Sequence, residues 1–181
     1  DQSLEDWRKE LTQALSMAVD HLSLYQLTIE DGTAFGDRYA IGKLRGLPDD
    51  DLSADLYAMT QDLCGTHGMP SYEVSNHARD GAQSRHNLVY WRYGDYVGIG
   101  PGAHGRITIN SKRHATEAYS NPTKWLSGAA SALTEKPHSV LEPKDEASEM
   151  LLMGLRLKEG ISLTRFEALA GHVIPKTGLD E

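Results

Sequence analysis

Apolar and polar positions along this chain alternate first with a helical period and then with that of a strand. Leu4, Trp7, Leu11, Ala14, Leu15 and Val19 share one face at helical spacing behind Ser3, which can cap with Asp6 three residues on, so the pattern predicts a first helix. His21 to Ile29 is an apolar run (Leu22, Leu24, Leu27, Ile29) with polar Gln26 and Thr28 near its end. It reads as a buried strand that delivers functional side chains at its tip. Glu30-Asp31-Gly32 turns the chain. After a glycine-rich loop, Pro48 and three aspartates lead into Leu52, Leu56, Met59 and Leu63, an amphipathic helix with acids at its positive end that Gly65 and Gly68 stop. Ser71 to Asn76 reads as a second strand, and the strand–helix–strand order favours parallel pairing.

A polar loop from Asn76 to Ser84 then feeds a segment rich in aromatics. Tyr96 to Gly100 and Arg106 to Asn110 read as short strands. Asn121-Pro122 opens a helix carrying Trp125, Leu126, Ala129 and Leu133, with the polar cap before a proline that helix starts favour. The stretch from Pro137 to Pro143 is the candidate domain boundary. Lys144 to Leu157 is predicted helical through Met150, Leu151, Leu155 and Leu157, Gly160 breaks it, and Thr164 with Glu167 is expected to cap a last short helix. The class is α/β, and no internal repeat is seen.

Length permits one substantial core, or one domain and part of another. A net charge of -8 without any Lys/Arg block argues against nucleic acid as a partner, since counterion release needs a basic surface. Cys64 is the single cysteine, so there is no disulfide, no CxxCH haem attachment and no thiolate set for an iron–sulfur cluster. At the end of an amphipathic helix it reads as a small buried hydrophobe. No apolar run reaches the roughly 20 residues that span a bilayer, and Asp1-Gln2-Ser3 does not resemble a signal peptide. A cytoplasmic chain is expected, and its start without Met, almost directly in a helix, suggests a piece of something longer.

The segment Ser84-Arg85-His86-Asn87-Leu88-Val89-Tyr90-Trp91, with Gly98-Ile99-Gly100-Pro101-Gly102-Ala103-His104-Gly105 beyond it, concentrates the candidate chemistry. A neutral imidazole at His86 suits haem iron, Tyr90 and Trp91 suit a porphyrin face, and Arg85 and Arg92 suit its propionates. The same residues also fit a core or interface with a hydrogen-bonded structural histidine. Gly98, Gly100 and Gly102 resemble a dinucleotide fingerprint only weakly, because Pro101 removes a donor and the next segment, Arg106 to Asn110, is extended rather than helical. Close approach to a ligand and tight packing at a sheet end both account for them. Glu73, Asn76 and His77 form either a catalytic cluster or a hydrogen-bonded turn. His67, His77, His86 and His104 make no compact metal spacing.

Taken in order, Leu22 to Glu30, Tyr72 to Arg79, His86 to Trp91, Gly98 to His104 and Leu151 to Leu157 resemble the second half of the HemW family of radical S-adenosylmethionine proteins, long labelled oxygen-independent coproporphyrinogen III oxidase-like. The resemblance covers nearly the whole chain. It implies that residues 1–110 are the later part of a partial (β/α) barrel, 111–143 a connecting helix and linker, and 144–181 the start of a truncated C-terminal helical domain. It further implies a haem chaperone that delivers haem to respiratory haem proteins, with His86, Asn87, Tyr90 and Trp91 as haem-binding residues and His86 as the iron ligand. By position in the related oxidase, Thr28 and His104 are carried over as S-adenosylmethionine contacts.

That cofactor and its 4Fe-4S cluster are expected only in the longer protein, because the CxxxCxxC loop is absent here, and this chain alone is expected to be inactive as a radical enzyme. The alternative within the resemblance is a coproporphyrinogen III oxidase that decarboxylates propionates, and a third reading is a noncatalytic interaction module. Self-association through an exposed barrel edge is expected, with peripheral membrane association of the longer protein left open.

Overall fold

The computed structural model describes residues 2–131 and 133–173. The end of the expected helical segment 144–181, from residue 174, lies outside the described residues. The chain divides into two compact units, Asp1–Gln83 and Ser84–Glu181. The boundaries expected at 110/111 and 143/144 both fall inside the second.

In the first unit, α1 (Leu4–Met17) begins where Ser3 Oγ accepts the Asp6 amide at 3.2 Å and donates back to the Asp6 carboxylate at 2.6 Å. Val19, expected on this helix, lies beyond its end and is exposed. A short helix α2 (Ala34–Ala40) follows the cap Thr33, and Gly36 is required because a Cβ there would meet the carbonyl of Glu30. The long helix α3 (Asp50–Thr66) is capped by Asp49, whose carboxylate accepts the Leu52 amide at 2.9 Å. The facing sides of α1 and α3 bury Leu11, Leu15, Cys64 and Met69, with Trp7, Leu22, Leu24 and Leu63 around them. Trp7 is tied across the pair by its indole N–H, which donates to Thr60 Oγ1 at 2.8 Å.

The strands of this unit correct the parallel reading. β1 (His21–Ser23) pairs antiparallel with β2 (Asn76–Ala78), in the register His21 to Ala78. Ser71 bridges His77, also antiparallel, so the arm entering at Ser71 does run with β1, but the chain reverses through Glu73 to Ser75 and the return arm lies between them. Glu73 drives the reversal: its buried carboxylate accepts the Ser75 amide at 3.0 Å and the Asn76 side-chain amide. The strand expected to Ile29 stops at Ser23 because β2 offers only three residues of ladder, and Tyr25 and Leu27 are 74% and 60% exposed.

In the second unit, β3 (His104–Ile109) and β4 (Lys112–Glu117) form a hairpin and β5 (Ser139–Val140) extends it, all antiparallel. The hairpin closes through Asn110 and Ser111, both with positive φ, the two-residue turn whose twist matches that of the strands. Of the strand expected at 96–100 only Tyr96 pairs, through two hydrogen bonds with Arg106 (2.7 and 2.9 Å). Gly100 at φ 113° and Pro101 turn the chain out of the ladder.

Helices α4 (Arg85–Trp91), α5 (Pro122–Ala129), α6 (Pro143–Gly154) and α7 (Leu163–Ala170) complete the unit. Asn121 caps α5 as expected. The cap of α7 is Ser162, which accepts the Arg165 amide at 3.3 Å, rather than Thr164, which is already helical. Gly160 at φ 71° sets the turn that brings Ser162 to that place. Ala147, Met150, Phe166 and Tyr93 form the core.

His77 is 1% exposed and neither ring nitrogen has a hydrogen-bond partner. Burial pushes its pKa below 6.5, opposed by the Glu73 carboxylate and reinforced by His21. The unfolded chain therefore takes up a proton at His77 that the folded chain resists, so stability present above pH 6.5 is lost as pH falls through that value. Thermal melts followed by circular dichroism between pH 7.5 and 5.5 are expected to show a falling midpoint, with a shallower slope in His77→Phe.

Candidate functional site

The aromatic segment folds as α4 because Ser84 caps it, its hydroxyl accepting the Asn87 amide at 3.3 Å. On this short helix His86 and Tyr90, four residues apart, share one face, whereas Trp91 leaves the axis about 140° from His86 at 100° per residue. The structure thus brings His86 and Tyr90 together, edge to face with ring centroids 4.7 Å apart. It directs Trp91 to a different surface. Asn87, half-buried, belongs to the Trp91 side by the same spacing.

His86 is exposed, and its ring nitrogens carry no hydrogen bond among the described residues. Tyr90 in turn packs on Tyr96 with centroids 4.3 Å apart. On the other side, the Arg156 guanidinium lies 4.5 Å from the Trp91 ring centre. Trp91 also lines a recess of about 240 Å³ with Met150, Gly154, Ile161 and Arg165. That volume lies below the ~300–1,000 Å³ of ordinary small-molecule pockets. The two arginines expected at propionates differ. Arg85 is exposed, whereas the Arg92 fork is already taken by Glu159, at 2.7 and 2.8 Å.

What holds α4 in place is a residue that the motifs of the sequence do not single out. Tyr93 ends the helix in the left-handed region, φ 54°, with Gly94 N–H donating to Val89 O (2.8 Å) and Tyr93 N–H to Tyr90 O (2.9 Å), the paired bonds of a Schellman end. A tyrosine in this conformation costs on the order of 1–2 kcal/mol where glycine would cost little. Its side chain offsets the strain. The ring is 3% exposed and faces the Arg113 guanidinium at 3.9 Å, and its hydroxyl donates to Glu149 Oε2 at 3.1 Å. A hydrogen bond to a charged group contributes about 1.5–3 kcal/mol and a desolvated cation–π contact up to about 2, so the contacts outweigh the strain.

Glu149, on α6, also receives Arg106 from β3 through Nε (3.0 Å) and Nη2 (2.7 Å). Those bonds hold its carboxylate below the usual range and raise the Arg106 guanidinium, while burial and then Glu149 push the Tyr93 phenol up. Arg165 of α7 closes the cluster by donating to the carbonyls of Arg92 and Tyr93, both at 2.7 Å. Tyr93 beside Gly94 is the available sequence signal, a helix end followed by glycine. The charged partners, 20 to 72 residues away in sequence, leave none.

The other candidates stand on other elements. Thr28 is exposed on the first unit beyond β1, and His104 is exposed at the start of β3 opposite Glu117. Of the loop glycines, Gly98 and Gly105 are explained by packing: a Cβ on Gly98 would meet the His104 backbone, and one on Gly105 the Thr116 hydroxyl. A strand rather than a helix comes after them, so the loop offers no pyrophosphate site of the dinucleotide kind. Glu73 and Asn76 form the hydrogen-bonded turn. Cys64 is fully buried and burial raises its thiol to about 11, so it does not fit as a cluster ligand.

Residues 141–180 match the HemN C-terminal domain. The chain is 39% identical over 172 residues to the heme chaperone HemW of Escherichia coli, covering 94% of this chain and 43% of that protein. The chain is a HemW homologue. It is also 37% identical over 171 residues to the mitochondrial radical S-adenosyl methionine domain-containing protein 1 of Danio rerio, covering 92% of this chain and 38% of that one. The chain thus spans about two fifths of the length of the curated relatives it matches.

Among solved structures, the radical SAM coproporphyrinogen III oxidase HemN from Escherichia coli superposes with a TM-score of 0.65 over 94% of this chain and 41% of its own, at 13% identity. The HemW homologue therefore shares its mixed helix and strand fold with HemN. Among the described residues, no helix is long and apolar enough to cross a membrane.

Two substitutions test the framework. Tyr93→Phe keeps the ring against Arg113 and removes the bond to Glu149, so chemical denaturation should show a loss of about 1.5–3 kcal/mol. Gly105→Ala should cost about 1–3 kcal/mol, because the added methyl has no room beside Thr116.

Proposed function

We propose that the protein acts as the haem-binding part of a haem chaperone, with His86 as the iron ligand. The observation that carries this reading is the exposed His86 imidazole, held against Tyr90 on a capped helix with its ring nitrogens free of protein hydrogen bonds among the described residues. A neutral imidazole in that state has a lone pair to give to iron. Haem is here the cargo. An exposed ligand on one face of a short helix suits transfer to an acceptor better than a closed pocket would, because the second iron face and the porphyrin edge stay accessible. Arg85, exposed and next to His86 in sequence, is the guanidinium proposed to meet a propionate, since Arg92 is engaged by Glu159. Tyr90, against His86, and Asn87 and Trp91, on the adjoining face of the same helix, complete the proposed haem-binding segment.

HemW homology supports the chaperone reading, and with it delivery of haem to respiratory haem proteins as the role of the longer protein. In that protein residues 1–110 would belong to a partial (β/α) barrel, 111–143 to a connection and 144–181 to a helical domain. The exposed Tyr25 and Leu27 fit a barrel edge that further strands, or a second copy, would cover. S-adenosylmethionine and a 4Fe-4S cluster belong to the longer protein, with Thr28 and His104 as its contacts from this part. The residues present do not fit the cluster, since it needs three thiolates and this chain has one, buried. The chain alone is therefore expected to carry haem without radical chemistry, and the cytoplasm is its expected place.

Titrating the protein with haemin should give a shifted Soret band that is lost or strongly weakened in His86→Ala. An unchanged spectrum in that variant would remove His86 as the ligand. Anaerobic turnover of coproporphyrinogen by the longer protein would favour the oxidase instead.

A further inference from the structure

Metal-bound histidines usually owe their orientation to a hydrogen bond from the second ring nitrogen to a carboxylate or carbonyl. His86 has no such partner among the described residues, yet its ring is not unsupported. The Tyr90 ring meets it at an interplanar angle of 78° with centroids 4.7 Å apart, and the Tyr96 ring meets Tyr90 at 59° and 4.3 Å. The first separation lies at the close end of the ~4.5–7 Å range of aromatic pairs and the second just below it. The far end of this stack is rigid. Tyr96 is joined to Arg106 of β3 by two backbone hydrogen bonds, and Arg106 is locked in turn by its fork onto Glu149. The near end is not: α4 has seven residues, and His86 lies in its first turn.

From this geometry we infer that Tyr96, through Tyr90, is a positioning residue for His86: the two phenol rings form a brace, anchored on the β3–β4 hairpin, that sets the plane of the iron-ligating imidazole. The inference rests on the haem reading above and adds to it a residue outside the His86–Trp91 segment. Physically, the brace substitutes for the missing hydrogen bond. An imidazole free to turn about its side-chain bonds loses that freedom on binding iron, whereas one already held against the Tyr90 ring has less to lose. The hydroxyls of the two tyrosines are not required for this, because the contact is ring on ring. Replacing Tyr96 by phenylalanine should therefore preserve the brace, and replacing it by alanine should release Tyr90 and with it His86.

The test is haemin titration of the full chain and of Tyr96→Phe, Tyr96→Ala and His86→Ala, read by Soret absorbance for affinity and by electron paramagnetic resonance for the iron's spin state and ligand-field rhombicity. Tyr96→Phe should match the parent protein. Tyr96→Ala should bind about three- to tenfold more weakly, the range that loss of one aromatic pair supports. It should also give a broadened or mixed iron signal, reflecting more than one imidazole orientation. The spin-state signature separates positioning from mere loss of stability, and a circular dichroism melt confirms that the variant is folded at the assay temperature.

If His86→Ala alters the spectrum while folded Tyr96→Ala leaves both affinity and iron signal at parent values, the brace is overturned and the haem reading stands. If His86→Ala changes nothing, the haem reading itself fails and takes the brace with it. Should Tyr96→Phe prove as impaired as Tyr96→Ala, the hydroxyl rather than the ring is what matters, and the inference is likewise overturned.

Discussion

The second unit depends on one residue held where its backbone would not choose to be. Tyr93 occupies a left-handed conformation at the end of α4, and only the contacts of its side chain make that tolerable. Arg113 comes from β4, Glu149 from α6, Arg106 from β3 and Arg165 from α7, and all meet at or beside this one ring. Each is individually modest in energy. Together they favour a single arrangement: Arg106 pairs with Glu149, Arg113 pairs with Asp95, and Arg165 donates to the carbonyls of Arg92 and Tyr93, so a shift of α4 would break several contacts at once. The direction of α4 relative to the hairpin and the α6–α7 pair stems from that requirement. So does the placing of His86, which stands on α4 with no hydrogen bond to its ring among the described residues.

The first unit is organised by different physics. Its core is the face-to-face packing of α1 and α3, an apolar seam with an indole hydrogen bond across it. Its sheet is short because a buried carboxylate, Glu73, satisfies the amides of a reversal where a longer strand would have paired. The apolar side chains beyond β1 then find no cover within the unit. Large groups such as Tyr25 and Leu27 therefore leave an exposed apolar surface on this unit.

Much of the element pattern is legible in residue order. Ser3 and Asn121 cap helices as expected, and the first of the aspartates expected at the start of α3, Asp49, caps it, because capping is a local affair: a side-chain oxygen reaches an amide three residues on, whatever lies elsewhere. The departures share a cause, in that each depends on a partner the local pattern does not contain. The second hairpin strand escapes a reading by periodicity although Asn110-Ser111 is a turn of the right kind, since Lys112 to Glu117 carries few apolar residues and so gives little strand signal. Strand–helix–strand order allows parallel pairing, but the reversal at Glu73 changes the direction of the paired arm. Among candidate site residues, spacing alone separates His86 and Tyr90 from Trp91 once α4 is known to be a helix.

By itself, then, residue order determined the starts of α1, α3 and α5, the acidic and cysteine-poor character of this chain, the likeness to HemW and the identity of the histidine to watch. Those properties are local or compositional. Only the tertiary structure decided that Arg92 is occupied by Glu159, that Trp91 turns away from His86, and that Tyr96 stands behind Tyr90. Each of these is a contact between residues whose separation along the chain carries no periodic signal. Their energies become appreciable only when folding has excluded water from the space between them.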